Sequence, residues 1–114
     1  MVLKNQEVTP LVEKYMLVSV NKCKSSKKIH YGLITLIELA DKYYSGGADL
    51  TYIIKNGELK LYIMMHVVHE MKKVGLIGCR EDNPNWLFLK EEPHPSWILE
   101  IVPKLISLFN PKEM

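Results

Sequence analysis

The sequence predicts a mainly α-helical domain with one small β-hairpin, an α+β fold. Three observations point there. Glu58 to Val74 reads as an amphipathic helix, Gly75 follows as a stop, and the stretch after it is extended on both sides of Asn83-Pro84-Asn85. At 114 residues, with 47% hydrophobic and 25% charged side chains, the chain is expected to form one domain, 1–114, with a core large enough to hold without staples.

The elements follow in order. Thr9 can cap a helix and Pro10 suits its first turn, so a helix is expected over 10–23, with Leu11, Tyr15 and Val18 on one face. Residues 22–28, rich in lysine, read as a loop or frayed helix end. A solvated connector is favoured there over a phosphate-contacting arm. Ile29 to Tyr44 is a second helix with Leu33, Leu36, Ile37 and Ala40 facing the core, closed by Gly46-Gly47. Asp49 can cap a short helix from Leu50 to Lys55.

Residues 51–63 admit two readings. Asn56-Gly57 between β-prone runs is a strong hairpin signal. It also serves as the turn between two helices. At about 100° per residue, Lys60, Leu61, Ile63, Met64, Val67, Val68, Met71 and Val74 fall within one half of the helical circle. Tyr62, Met65, His66, His69, Glu70, Lys72 and Lys73 occupy the other half. The geometry favours one helix over 58–74.

Beyond Gly75, residues 76–80 and Trp86 to Leu89 form the two arms of the hairpin. Ser96 can cap a last helix, Trp97 to Phe109, which Pro103 should kink or divide. Its apolar arc is wide and includes Trp97, Ile98, Ile101, Val102, Leu105 and Phe109. Such an arc needs burial on two sides, which favours a homodimer contact over packing within the chain.

Composition narrows the function. Fourteen Lys stand against a single Arg, Arg80, so bidentate reading of guanine by Arg is scarce. Residues 1–30 carry a net charge of +4, 31–79 are balanced, and 80–114 carry −2. That is not the profile of a non-specific nucleic-acid coat. No apolar run reaches membrane-span length and no signal-peptide core opens the chain, so a cytoplasmic protein is expected, with Cys23 and Cys79 as free thiols. No Ser-His-Asp, Cys-His or paired-carboxylate arrangement and no phosphate-cradling glycine loop is present, so neither enzyme activity nor a cofactor is expected. His66 and His69 share a helix side, but Glu70 does not follow the zinc-protease order and no third ligand is fixed, so no metal is expected. Cys79, in an apolar strand, reads as a small core residue.

The run Glu70-Met71-Lys72-Lys73-Val74-Gly75-Leu76-Ile77, followed by a hairpin closing at Trp86-Leu87-Phe88-Leu89, resembles winged helix-turn-helix DNA-binding proteins. The preceding helices come in the same order, and the likeness covers about 29–90. The resemblance implies a winged helix-turn-helix with extra N- and C-terminal helices, of the small type known from archaea and their viruses (the cytoplasm is then the host's). The 96–109 segment would be the dimerisation helix. The family would place helix 58–74 in the major groove of double-stranded DNA, as a sequence-specific transcriptional regulator. Tyr62, Met65, His66 and His69 would meet base edges or the groove wall, and Lys55, Lys60, Lys72 and Lys73 the phosphates. Histidines facing phosphate would bind more tightly at about pH 6 than at about pH 8. Glu81 and Asp82 depart from a phosphate-gripping wing. The rival reading is a protein-interaction or structural module on a related scaffold.

Overall fold

The computed structural model describes residues 26–94 and 96–109. The helix expected over 10–23 lies outside them. The described chain runs α1 (Ser26–Asp41), a short 3-10 turn (Tyr43–Ser45), β1 (Ala48–Asp49), α2 (Leu50–Gly57), α3 (Leu61–Lys73), β2 (Ile77–Cys79), β3 (Trp86–Leu89) and α4 (Trp97–Phe109). The expected α+β mixture is present.

α1 is the axis of the core. Ile29, Leu33, Leu36 and Leu39 recur at helical spacing and are fully buried, and α3 and α4 both pack on α1. Gly32 permits the close approach of α4, since a Cβ there would lie 2.9 Å from Leu105 Cδ1. The helix begins earlier than expected. Ser26, Lys27 and Lys28, read from the sequence as part of a loop or frayed helix end, form its first turn. It also ends earlier, at Asp41, where Lys42 reaches back to Glu38 (Nζ–Oε2 2.9 Å). The expected Gly46-Gly47 stop therefore does not end this helix: Gly46 (φ +90°) caps the 3-10 turn, and Gly47 (φ +116°) leads into β1.

The sheet has the order β1-β3-β2, all antiparallel. Ala48 pairs with Leu87 and Asp49 with Trp86, while Ile77 pairs with Leu89 and Cys79 with Leu87. In β3, Leu87 and Leu89 enter the core while Trp86 and Phe88 are half-buried on the other side, the alternation read from the sequence. Trp86 Nε1 donates to the Gly46 carbonyl at 2.8 Å, and Leu50 N donates to Asn85 O at 2.7 Å. These two bonds staple the start of β3 to both ends of β1.

The residues between α2 and α3 correct the sequence reading twice. Residues 51–57 are helical, so the hairpin alternative is excluded. Yet α3 begins at Leu61 and not at Glu58. Asp49 caps α2 as expected, its Oδ1 accepting from Thr51 N at 2.7 Å. At the other end Gly57 remains helical and Glu58 takes the left-handed conformation (φ 53°, ψ 48°). The bond from Leu59 N to Ile54 O, 2.9 Å, closes α2 across six residues in a Schellman pattern. Lys60 is extended and offers α3 no side-chain cap. Its N–H donates instead to the Tyr31 hydroxyl at 3.0 Å, so α1 fixes where α3 starts. Thr35 adds a second tie, its Oγ1 donating to Tyr31 O at 2.8 Å and lying 3.4 Å from Met64 Sδ. At the C-terminal end, Gly75 (φ +83°) and the Leu76 N to Met71 O bond, 3.0 Å, stop α3 as expected.

α4 is one continuous helix through Pro103, not divided into two pieces. The carbonyl that loses its donor belongs to Leu99, which lies with Pro103 on the exposed side, where water can serve it. Ser96 Oγ pairs with His94 Nδ1 at 2.9 Å. Trp97, Ile101, Val102, Leu105 and Phe109, expected at a dimer contact together with Ile98, are buried in the chain's own core. α1 supplies the second surface that the wide arc required, so these five leave no exposed patch for a second copy. Among the described residues no helix is long and apolar enough to cross a membrane.

Candidate nucleic-acid interface

α3 presents two distinct sides. Met64, Val67, Val68 and Met71 are buried against α1 and the sheet. Tyr62, Met65, His66, His69 and Lys73, the outward face read from helical periodicity, are all exposed, and Lys72 is half-buried. The later start of α3 changes its margins. Leu61, counted on the apolar half, is 59% exposed and joins Tyr62 (71%) and Met65 (54%). Val74, also counted as apolar-facing, lies past the helix end and is exposed. Lys60, counted on the apolar half, is outside the helix and exposed.

Two structures flank this face. Leu50 at the start of α2 and Pro84-Asn85 of the hairpin turn line a shallow cleft with Met65, Val68, His69 and Lys72. On the opposite side the His66 ring lies 6.3 Å from that of Phe109, at the end of α4. The face is therefore a ridge between the hairpin turn and α4. Lys55, on the last turn of α2, is exposed and lines a separate recess with Tyr52, Asn56 and Glu58. The structure brings Tyr62, Met65, His66, His69, Lys72 and Lys73 onto one surface, with Lys60 at its entry.

The cations on and around this ridge are not equivalent. Lys73 Nζ sits 3.8 Å from Glu70 Oε2, a loose surface pair. Lys72 Nζ lies 3.8 Å from Cys79 Sγ, so its stem is folded toward the sheet. Lys55 and Lys60 have no carboxylate partner among the described residues. Lys42, near α2, is held by Glu38 and stands 5.2 Å over the Tyr52 ring. The Glu38 hydrogen bond, with its charge, raises the Lys42 pKa. Arg80 is spent on Asp82 through two bonds, Nε to Oδ1 at 2.9 Å and Nη2 to Oδ2 at 2.7 Å. That hydrogen bonding holds the Asp82 carboxyl below its ordinary range. The hairpin tip thus offers no free guanidinium, in keeping with the acidic residues read there.

No group of three or more His, Cys, Asp or Glu that could hold a metal occurs among the described residues. Cys79 is half-buried in β2, a less complete burial than a core residue would have. Two contributors to the surface escaped sequence reasoning. Leu61 was hidden by the displaced helix start, and Pro84-Asn85 could be brought beside α3 only by the β1–β3 pairing. Comparisons with protein families, with curated proteins and with solved structures find no match to this chain.

Proposed function

We propose that the chain is a winged helix-turn-helix protein and binds double-stranded DNA, as a small sequence-specific transcriptional regulator. The observation that carries the reading is topological. Helix, short strand, two helices and a hairpin, with sheet order β1-β3-β2, present α3 as a free ridge beside the hairpin turn. In this reading α3 enters the major groove. Lys55, Lys60 and Lys73 neutralise phosphates, and Lys72 joins them by swinging away from Cys79. Tyr62, Met65, His66 and His69 face the bases.

Around α3 the four lysines stand against Glu58 and Glu70, a modest positive excess that supports DNA over an acidic partner. The exposed Leu61, Tyr62 and Met65 favour a second reading, an apolar protein contact through the same ridge. Fold alone does not choose between them. Duplex binding measured across salt concentrations does. The slope of log K against log salt should fall by about 0.9 for each phosphate contact removed. Lys55→Ala and Lys60→Ala should each show it in full, and Lys73→Ala less, because Glu70 already competes for that ammonium. An unchanged slope in these three and in Lys72→Ala would remove this surface as the DNA reader.

A further inference from the structure

The proposed DNA-binding ridge has a chemistry that points to a particular kind of site. α3 carries no Arg, Asn or Gln, and its two lysines, Lys72 and Lys73, sit at its far end near Cys79 and Glu70, so its first turns hold no side chain that reads guanine or adenine through paired hydrogen bonds. Its exposed face begins with Leu61 and Tyr62, and Met65 follows one turn after Leu61. These are the most exposed apolar side chains on the helix, and Lys60 stands immediately before them. Three large apolar groups held in water, next to cations, call for a surface that is anionic overall yet apolar at points. In the major groove the only apolar group on a standard base pair is the C5-methyl of thymine.

We infer that Leu61, Tyr62 and Met65 read thymine methyl groups, so that the chain prefers A·T-rich duplex through the major groove. This rests on the DNA-binding reading above. Tyr62 and Leu61 lie at the first turn of α3, the end of a recognition helix that goes deepest in helix-turn-helix docking. Met65, unbranched and polarizable, adapts to a methyl group whose exact position varies with the local twist. Lys60 and Lys55 supply the phosphate contacts that hold this end against the duplex. The histidines at 66 and 69 lie further along the helix and leave the first turn to apolar contact.

The test uses four duplexes of equal length with the full chain: alternating dA-dT, alternating dA-dU, alternating dG-dC, and alternating dG with 5-methyl-dC. Uracil removes the methyl group from the A·T pair. Methylcytosine adds one at the same edge of the G·C pair. Each contacted methyl should change affinity by about three- to fourfold. The methylated member of each pair should bind more tightly, and Leu61→Ala and Met65→Ala should shrink that ratio while leaving the salt slope unchanged. Equal binding within both pairs overturns the inference and leaves the DNA-binding reading standing. Binding to none of the four at low salt overturns both. If Leu61→Ala or Met65→Ala alters self-association in sedimentation and leaves all four affinities intact, the ridge is a protein contact and the inference fails.

Discussion

Gly47→Ala should be among the most damaging single methyl additions to this fold. A Cβ at that position would lie 2.0 Å from the Leu87 carbonyl oxygen, a backbone atom that cannot rotate away. Gly47 also has φ +116°, a conformation that costs an L-residue about 1–2 kcal/mol. Relief of the clash must push β1 away from β3 by more than an ångström, judged against an ordinary contact of about 3.2 Å. That loosens the Ala48–Leu87 and Asp49–Trp86 pairing, the Leu50 N to Asn85 O bond and the Trp86 Nε1 to Gly46 O bond. At about 0.5–1.5 kcal/mol for each of these four interactions weakened, added to the backbone cost, the total is about 3–8 kcal/mol. Gly46→Ala isolates the backbone term, because Gly46 has φ +90° but nothing within 4 Å of its Cβ position. It should cost only about 1–2 kcal/mol. Urea unfolding of both variants, compared by midpoint at constant m, separates the two. Equal midpoints would refute the argument that β1 is clamped between Gly47 and Leu87.

Three further outcomes are expected. Trp97→Ala should cost about 3–5 kcal/mol in urea unfolding and leave the sedimentation behaviour of the folded chain unchanged, because Trp97 is buried in its own core; loss of a dimer without loss of stability would contradict that placement. Glu58→Gly should raise stability by about 0.5–1 kcal/mol, the left-handed strain relieved less glycine's greater unfolded freedom, and should also tighten duplex binding by removing an anion beside Lys55 and Lys60. Burial lowers the His30 pKa below its ordinary 6.5, so stability should be complete above pH 6.5 and decline as pH falls through 6.5 toward the lowered folded value, where the unfolded chain takes the proton more readily. Melting temperatures that fall between about pH 7.5 and about pH 5 by less in His30→Gln than in the parent would match this; identical losses would not.

The features legible in the sequence were those written within one or two turns of chain. Leu33, Leu36 and Ala40 gave the buried side of α1, Asp49 the cap of α2, Gly75 the stop of α3, and Leu87 and Leu89 the inner side of β3. What escaped was set across the chain. The start of α3 has no Ser, Thr, Asp or Asn cap to announce it, and its polar partner is a tyrosine hydroxyl on α1. β1 is two residues long, too short for alternation to register, and exists because β3 and Gly47 are beside it. The breadth of the α4 arc was visible, but not what would cover it; Gly32 provides room for Leu105 on α1. The outward side of α3 was recovered because periodicity survives a displaced boundary, and the same displacement hid Leu61.

The hairpin leaves room for change at one place. The bond from Arg80 N to Trp86 O closes the ladder, and Asn83 to Asn85 are tied by their own turn and by Leu50. Glu81 and Asp82 stand outside all of these backbone bonds, and both are exposed. Residues could be added there without shifting the register of Leu87 or Leu89, so the length and charge of the tip can drift while the core stays fixed. A lineage could acquire a longer, basic finger, or keep a blunt acidic one, by altering a two-residue window. Loop grafting at that window offers a direct way to retune the molecule without redesigning its interior.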